Sequence, residues 1–364
     1  MTTRRRLDWD LIRVVAVFAV LLGHVTDLGP VLHPELGGYP FVVTPQFGAA
    51  ALMIVSAYFA CETIRRGNPG RWLRNRLARL LPAYLTAVVV IYAIGSYAIP
   101  RFNADPDRWN WREWTFGDLV ANLTMTQGWH PHPVYLDNAH WTLPVQVTAF
   151  VAAAVWWFRR GGAGVRGLAL GLVVAPVAVL PLRLLPDSLT GILAVFYTGT
   201  GLGRVALFGL GIALWLWGRG RLPGSTLTVL AALAVGQYAY TVDRKIESGL
   251  ALAVMVGAIA LAARCPRWDE RVPDAVRRPI TWLAGISYGV YLLHQQLGFI
   301  LARVLVDNGI SGTGRLVVVM LAAVAAGWAL TVLVERPAHR LLTQGRDRPS
   351  RRLSVAAPSM GKVG

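Results

Sequence analysis

The chain has 364 residues, 55% hydrophobic and only 15% charged, with a net charge of +17 and a mean hydropathy of +0.47. Soluble domains carry about a quarter charged residues, so the composition excludes an ordinary soluble domain and indicates a polytopic membrane protein. Nucleic-acid binding, the first thing such a charge suggests, is disfavoured because the arginines lie in short clusters between apolar runs, where positive charge fixes orientation.

Ten apolar runs are long enough to cross a hydrocarbon core of about 30 Å. In chain order they are about 11–29, 45–64, 80–99, 141–158, 168–186, 192–217, 224–241, 248–264, 280–303 and 315–334. The expected fold is an all-α polytopic membrane protein with about ten transmembrane helices. They form one unit over 1–343, with no soluble domain and no internal repeat. The basic start, Arg4, Arg5 and Arg6, with the apolar run behind it, resembles a secretory leader. No A-x-A site follows, so it reads as a retained first helix. With the N-terminus inside, the segments 1–13, 65–79, 159–167, 218–223, 264–279 and 335–364 carry 27 of the 36 Lys and Arg residues. That asymmetry predicts both termini on the cytoplasmic side of the cell membrane. Cys61 and Cys265 are too few for a disulfide framework and fall in or beside inner segments.

Some boundaries are blurred. Gly199, Gly201 and Gly203 interrupt the sixth span, and the charged 242–247 stretch obscures the edge of the eighth. Two outer connections stand out. The 30–44 loop is rich in Pro and Gly, and the 100–140 segment holds Trp109, Trp111, Trp114, Trp129, His130 and His132. The "HPHP" at His130 and His132 is too sparse for zinc, and no metal site is expected. The tail 344–364 is polar and basic and reads as disordered.

The first span carries the clearest chemical signal. "RVVAVFAVLLGH" runs from Arg13 to His24 with ten apolar residues between. A helix turns about 100° and rises about 1.5 Å per residue, so eleven steps return the side chain to within about 20° of its start, some 16 Å deeper. Asp10 lies three residues before Arg13, on the neighbouring strip. Asp10, Arg13 and His24 thus form a polar stripe from the inner surface to about mid-bilayer. An ionisable group at that depth is a functional-site candidate. The plainer readings are a packing hydrogen bond for His24, snorkelling for Arg13 and an i, i+3 pair for Asp10.

"LDWDLIRVVAVFAVLLGH" resembles the opening of the acyltransferase-3 family of integral membrane acyltransferases, which reads D-x-x-R, ten residues, then His. Four later stretches resemble the same family in the same order. "FGAAALMIVSAYFA" places Ser56 at a small polar position of the second helix. "RWLRNRLARLLPAY" matches an R-x-x-R segment with Arg76 and Arg79. "GISYGVYLLHQQL" matches a late helix with Ser287, Tyr288, Tyr291 and His294. "LVERPAHRLL" matches the close, with Glu335, Arg336 and Pro337. "HWTLPVQVTAF", with Trp141, aligns with a helix that often reads W-S-L-x-x-E, and here Gln146 replaces the glutamate. This departure bears on the proton relay more than on the fold.

The resemblance implies acyl transfer, often acetyl, from acyl-CoA as co-substrate to a hydroxyl of a sugar, glycan precursor or secondary metabolite. No permanently bound cofactor is implied. His24 is the natural base, because an alcohol must lose its proton as it attacks and imidazole titrates near working pH. Direct transfer and an acyl-imidazole both remain open. The resemblance assigns catalysis to Asp10, Arg13 and His24 and donor phosphates to Arg76 and Arg79, with topology as the plainer reading of the arginines. It assigns the substrate pocket to Ser56, Trp141, Gln146, Tyr288, Tyr291 and His294. Two other functions compete. One is a transporter or flippase using the Arg13–His24 stripe, against which the lack of a repeat weighs. The other is a non-catalytic acyl-sensing descendant, which Gln146 keeps in view.

Overall fold

The computed structural model describes residues 6–104, 111–130, 132–179, 187–242, 245–264 and 272–344. They are largely helical, with no strand among the described residues. Residues 345–364 of the predicted tail, Trp109, Cys265 and the end of the fifth predicted span, 180–186, lie outside them.

Helix α1 (Leu7–Gly23) runs into a π-turn (His24–Leu28) and the short α2 (Gly29–Leu32). Then come α3 (Gly48–Ile64), α4 (Pro69–Phe102), α5 (Phe116–Leu123), α6 (Thr142–Arg160) and α7 (Val165–Val179). The chain continues through α8 (Asp187–Thr200), α9 (Val205–Gly218), α10 (Gly224–Thr241) and α11 (Lys245–Arg264). It closes with α12 (Asp274–Asp307), α13 (Gly312–Leu330) and α14 (Arg336–Gln344). Six helical stretches, Leu7–Leu32, Pro69–Phe102, Asn138–Arg160, Ile246–Arg264, Asp274–Asp307 and Gly312–Thr343, are long and apolar enough to cross a membrane. Gly48–Ile64, Val165–Pro176 and Leu202–Gly218 are shorter apolar helices. The protein is an all-helical membrane protein.

Three features depart from the expected layout. The arginine-rich 65–79 stretch is not simply a connection. Asn68 Oδ1 accepts from the backbone N–H groups of Gly70 and Arg71 at 2.8 and 3.1 Å, Pro69 takes a first-turn position, and the helix runs 34 residues without interruption. That cap and N1 proline are a sound helix start, so Arg76 and Arg79 stand on a rigid element. The sixth predicted span is broken instead of continuous. Gly201 has φ +66°, which only glycine adopts readily, and a 3-10 turn (Leu202–Arg204) follows before α9 begins. The first span is not a uniform α-helix: it widens to a π-turn at His24, a form frequent at functional positions.

Helix α1 packs against α3 and α12, α3 against α9, and α12 against α13. The approach of α3 to α1 is close, since a Cβ on Gly48 would sit 2.1 Å from the Ala16 carbonyl oxygen. Small residues let membrane helices meet backbone to backbone in this way. Charged networks tie the two ends of the bundle. At one end Glu62 accepts from Arg65 at 2.9 Å and Trp215 at 3.1 Å and pairs with Arg66 and Arg219, while Arg79 meets Glu335 at 2.9 Å. At the other, Glu35 accepts from Trp111 Nε1 at 2.8 Å and Arg303 at 2.9 Å, holding the 33–36 turn against α12.

Candidate active site

Positions 13, 17, 20 and 24 follow one face of α1, as spacings of three and four on a helix require. Two cavities open along that face. Arg13 and Val17 line the first, and Val20 and His24 line the second. Ala49, near the start of α3, lines both, so a single small side chain forms part of the partition between them.

The first cavity has a volume of ≈ 170 Å³ and holds three guanidinium groups, those of Arg13, Arg76 and Arg79. Arg13 pairs with buried Asp10 at 3.7 Å and lies over the Phe59 ring. Arg76 donates to Thr63 Oγ1 at 2.8 Å and to the Phe59 carbonyl at 3.2 Å, and packs against the rings of Trp72 and Phe150. Arg79 reaches Glu335 yet keeps a side chain 53% exposed. Gln146 donates to Ser56 Oγ at 2.9 Å across this cavity. An amide here forms a neutral bridge between α6 and α3, where a carboxylate would face the three arginines.

The second cavity, ≈ 100 Å³, is lined by His24, Trp141, Arg204, Tyr238 and the 45–49 segment, among others. His24 Nδ1 lies 2.9 Å from His294 Nε2, and the rings stack 5.0 Å apart. His294 Nδ1 lies 2.8 Å from the Tyr291 carbonyl oxygen. A carbonyl only accepts, so His294 carries its proton on Nδ1, and in the neutral ring Nε2 accepts. His24 must then donate through Nδ1. Its Nε2 is left with a free lone pair, the form a general base requires. One backbone carbonyl thus sets the tautomer of two imidazoles in series.

The sequence-derived site residues divide between these places. Arg13, Ser56, Arg76, Arg79, Gln146, Tyr288 and Tyr291 line the first cavity, and His24 and Trp141 line the second. Asp10 is buried beside Arg13, and His294 is buried behind His24. The two tyrosines share the arginine cavity rather than the histidine cavity. Their hydroxyls serve the backbone: Tyr288 donates to the Leu80 carbonyl at 2.9 Å and Tyr291 to the Ala139 carbonyl at 3.0 Å. They shape the wall and carry no free proton for chemistry. In the 100–140 segment, His130 Nδ1 meets the backbone of His132.

Sequence reading missed Arg204. It stands inside an apolar run, and an arginine there is a functional candidate. It also missed the buried group behind His294. His140 donates through Nε2 to the Leu292 carbonyl at 2.9 Å, and fully buried Asp137 accepts from Gln296 N at 3.0 Å. Those bonds clamp the 138–141 turn, and with it Trp141, against α12.

Comparison with curated proteins and with solved structures returns no match. The model of the acyltransferase-3 family, described as an acyltransferase domain, matches residues 6–332. That match spans both cavities and every helix that lines them, and the chain belongs to the acyltransferase-3 family.

Proposed function

We propose that this membrane acyltransferase moves an acyl group, acetyl in the first instance, from acyl-CoA to a hydroxyl of a sugar, glycan precursor or secondary metabolite. The observation that carries the reading is the His24–His294 pair, which leaves His24 Nε2 as a free base at a cavity wall beside a cavity of three arginines. Burial alone would not arrange two imidazoles and a carbonyl in donor–acceptor series.

The arginine cavity takes the donor. Arg76 and Arg79, with Arg13, offer planar donors that suit CoA phosphates. The histidine cavity takes the acceptor. Its hydroxyl loses a proton to His24 Nε2 as the oxygen attacks the thioester carbonyl. The tetrahedral adduct then expels CoA thiolate, which takes the proton back from the imidazolium. No atom is lost, and the ester and free CoA are the products. The thioester reaches His24 past Ala49, where the cavities adjoin. In this account the protein spans the cell membrane about ten times with both termini inside. The arginine cavity faces the cytoplasm, where acyl-CoA is available, because the arginine-rich segments cluster at that end.

The test is to incubate the purified protein in detergent with labelled acetyl-CoA and separated cell fractions, and to find which molecule gains label. Detergent removes any meaning from transport. Acceptor-dependent release of CoA with label on a hydroxylated molecule is the expected result. Absence of CoA release with every fraction would reject the reading.

A further inference from the structure

Arg204 has no place in the chemistry above, yet it lines the same ≈ 100 Å³ cavity as His24. The break at Gly201 puts it there. Without that break the sixth apolar run would continue as helix past this point, and Arg204 instead ends a 3-10 turn at the start of α9. Its guanidinium lies over the Trp141 ring at 4.7 Å and the Tyr238 ring at 5.7 Å, and Nη1 donates to Thr241 Oγ1 at 3.2 Å. Tyr238 is itself pinned, its hydroxyl donating to the Gln46 carbonyl.

A guanidinium has five N–H donors. Among the described residues one hydroxyl and two ring faces partner this one, and no carboxylate pairs with it. Among the described residues the cavity wall contains no Asp or Glu. A charge drawn out of water and left without an opposite charge is costly. Ring faces offset part of that cost and hold the fork in one plane. The remaining donors border the cavity. Their flat, two-pronged geometry matches the two oxygens of a carboxylate or a phosphate.

We propose that Arg204 recognises a carboxylate or phosphate group carried by the hydroxylated acceptor, so that the substrate is an anionic alcohol and not a neutral one. The inference rests on the reading that the His24 cavity takes the acceptor. The cavity is small, so the anion at Arg204 and the hydroxyl at His24 belong to one compact head of the molecule. Trp141 and Tyr238 serve as the platform that aims the fork.

The experiment is a binding measurement, which does not depend on turnover. Full-length protein in a neutral detergent is titrated with methyl glucoside, methyl glucuronide and glucose 1-phosphate, and thermal unfolding is followed. At least one anionic probe should stabilise the wild type at concentrations about tenfold or more below any effect of methyl glucoside. Arg204→Gln should lose that difference, and Arg204→Lys, which keeps the charge but not the fork, should keep part of it. Whether the glucuronide or the phosphate shifts the transition tells which anion is read. Equal response to all three probes, no response to any, or an anion preference that survives in Arg204→Gln would overturn the proposal. His24→Ala separates the two readings. It should bind the anionic probe like wild type while losing acyl transfer, so continued transfer in that variant breaks the base assignment and leaves the Arg204 assignment standing.

Discussion

Replacing His294 with alanine removes the acceptor for the His24 Nδ1–H without removing any side chain that lines either cavity. In the native arrangement that proton lies on a 2.9 Å contact inside the helix bundle. A buried donor left without a partner costs about 1–3 kcal/mol. His24 can escape the cost by moving its proton to Nε2, which faces the cavity, but that tautomer is no base toward the acceptor. The working tautomer is therefore disfavoured by the same about 1–3 kcal/mol, which corresponds to a fall in kcat of roughly 5- to 150-fold. Donor affinity should not change, because Arg76 and Arg79 are untouched. The assay is steady-state CoA release with acyl-CoA and acceptor varied separately. His294→Gln, whose amide oxygen accepts a hydrogen bond, should recover part of the loss. A kcat within about twofold of wild type in His294→Ala, or a change confined to KM, would refute the tautomer argument.

Ala49→Leu places a larger side chain where the two cavities adjoin. Acyl-CoA should still bind, with transfer reduced about tenfold or more; unchanged kcat would show that the acyl group takes another route. Arg76→Ala with Arg79→Ala should weaken acyl-CoA binding by about tenfold or more, since charge-assisted bonds contribute about 1.5–3 kcal/mol each, and leave acceptor KM alone. Equal affinity in equilibrium binding would return these arginines to topology. His33 stacks on Trp111 at 3.7 Å, and burial holds its imidazole below the usual histidine value, with Glu35 opposing and Arg303 adding to the shift. The unfolded chain then binds this proton more readily, so stability contributed here is full above the unfolded value and lost as pH falls toward the folded one. The unfolding temperature should drop between about pH 7 and 5, and His33→Gln should flatten that slope; an unaltered slope would count against it.

The helices were legible because apolar runs of bilayer length leave a chain few alternatives. The face shared by Arg13 and His24 was legible for a related reason, since the helical period decides it without reference to the rest of the fold. What lies opposite that face was not. His24 and His294 are 270 positions apart, and no local pattern encodes their contact. The continuity of α4 was masked because arginines serve equally well in a loop, in a topology signal or on a helix. The glycines at 199, 201 and 203 were visible as an interruption. Their consequence, a turn that delivers Arg204 to the cavity of His24, needs the positive φ at Gly201 and the rings of Trp141 and Tyr238 in place.

The central claim is that His24 acts as the base in acyl transfer from acyl-CoA, and a single-turnover comparison tests it most directly. Purified wild type and His24→Ala, each loaded with labelled acetyl-CoA, are mixed with an acceptor-containing fraction, and bound donor and labelled product are measured in the same samples. The account predicts equal donor binding in both proteins and a product rate in His24→Ala lower by about 10²-fold or more. Near-normal product formation by His24→Ala would contradict it.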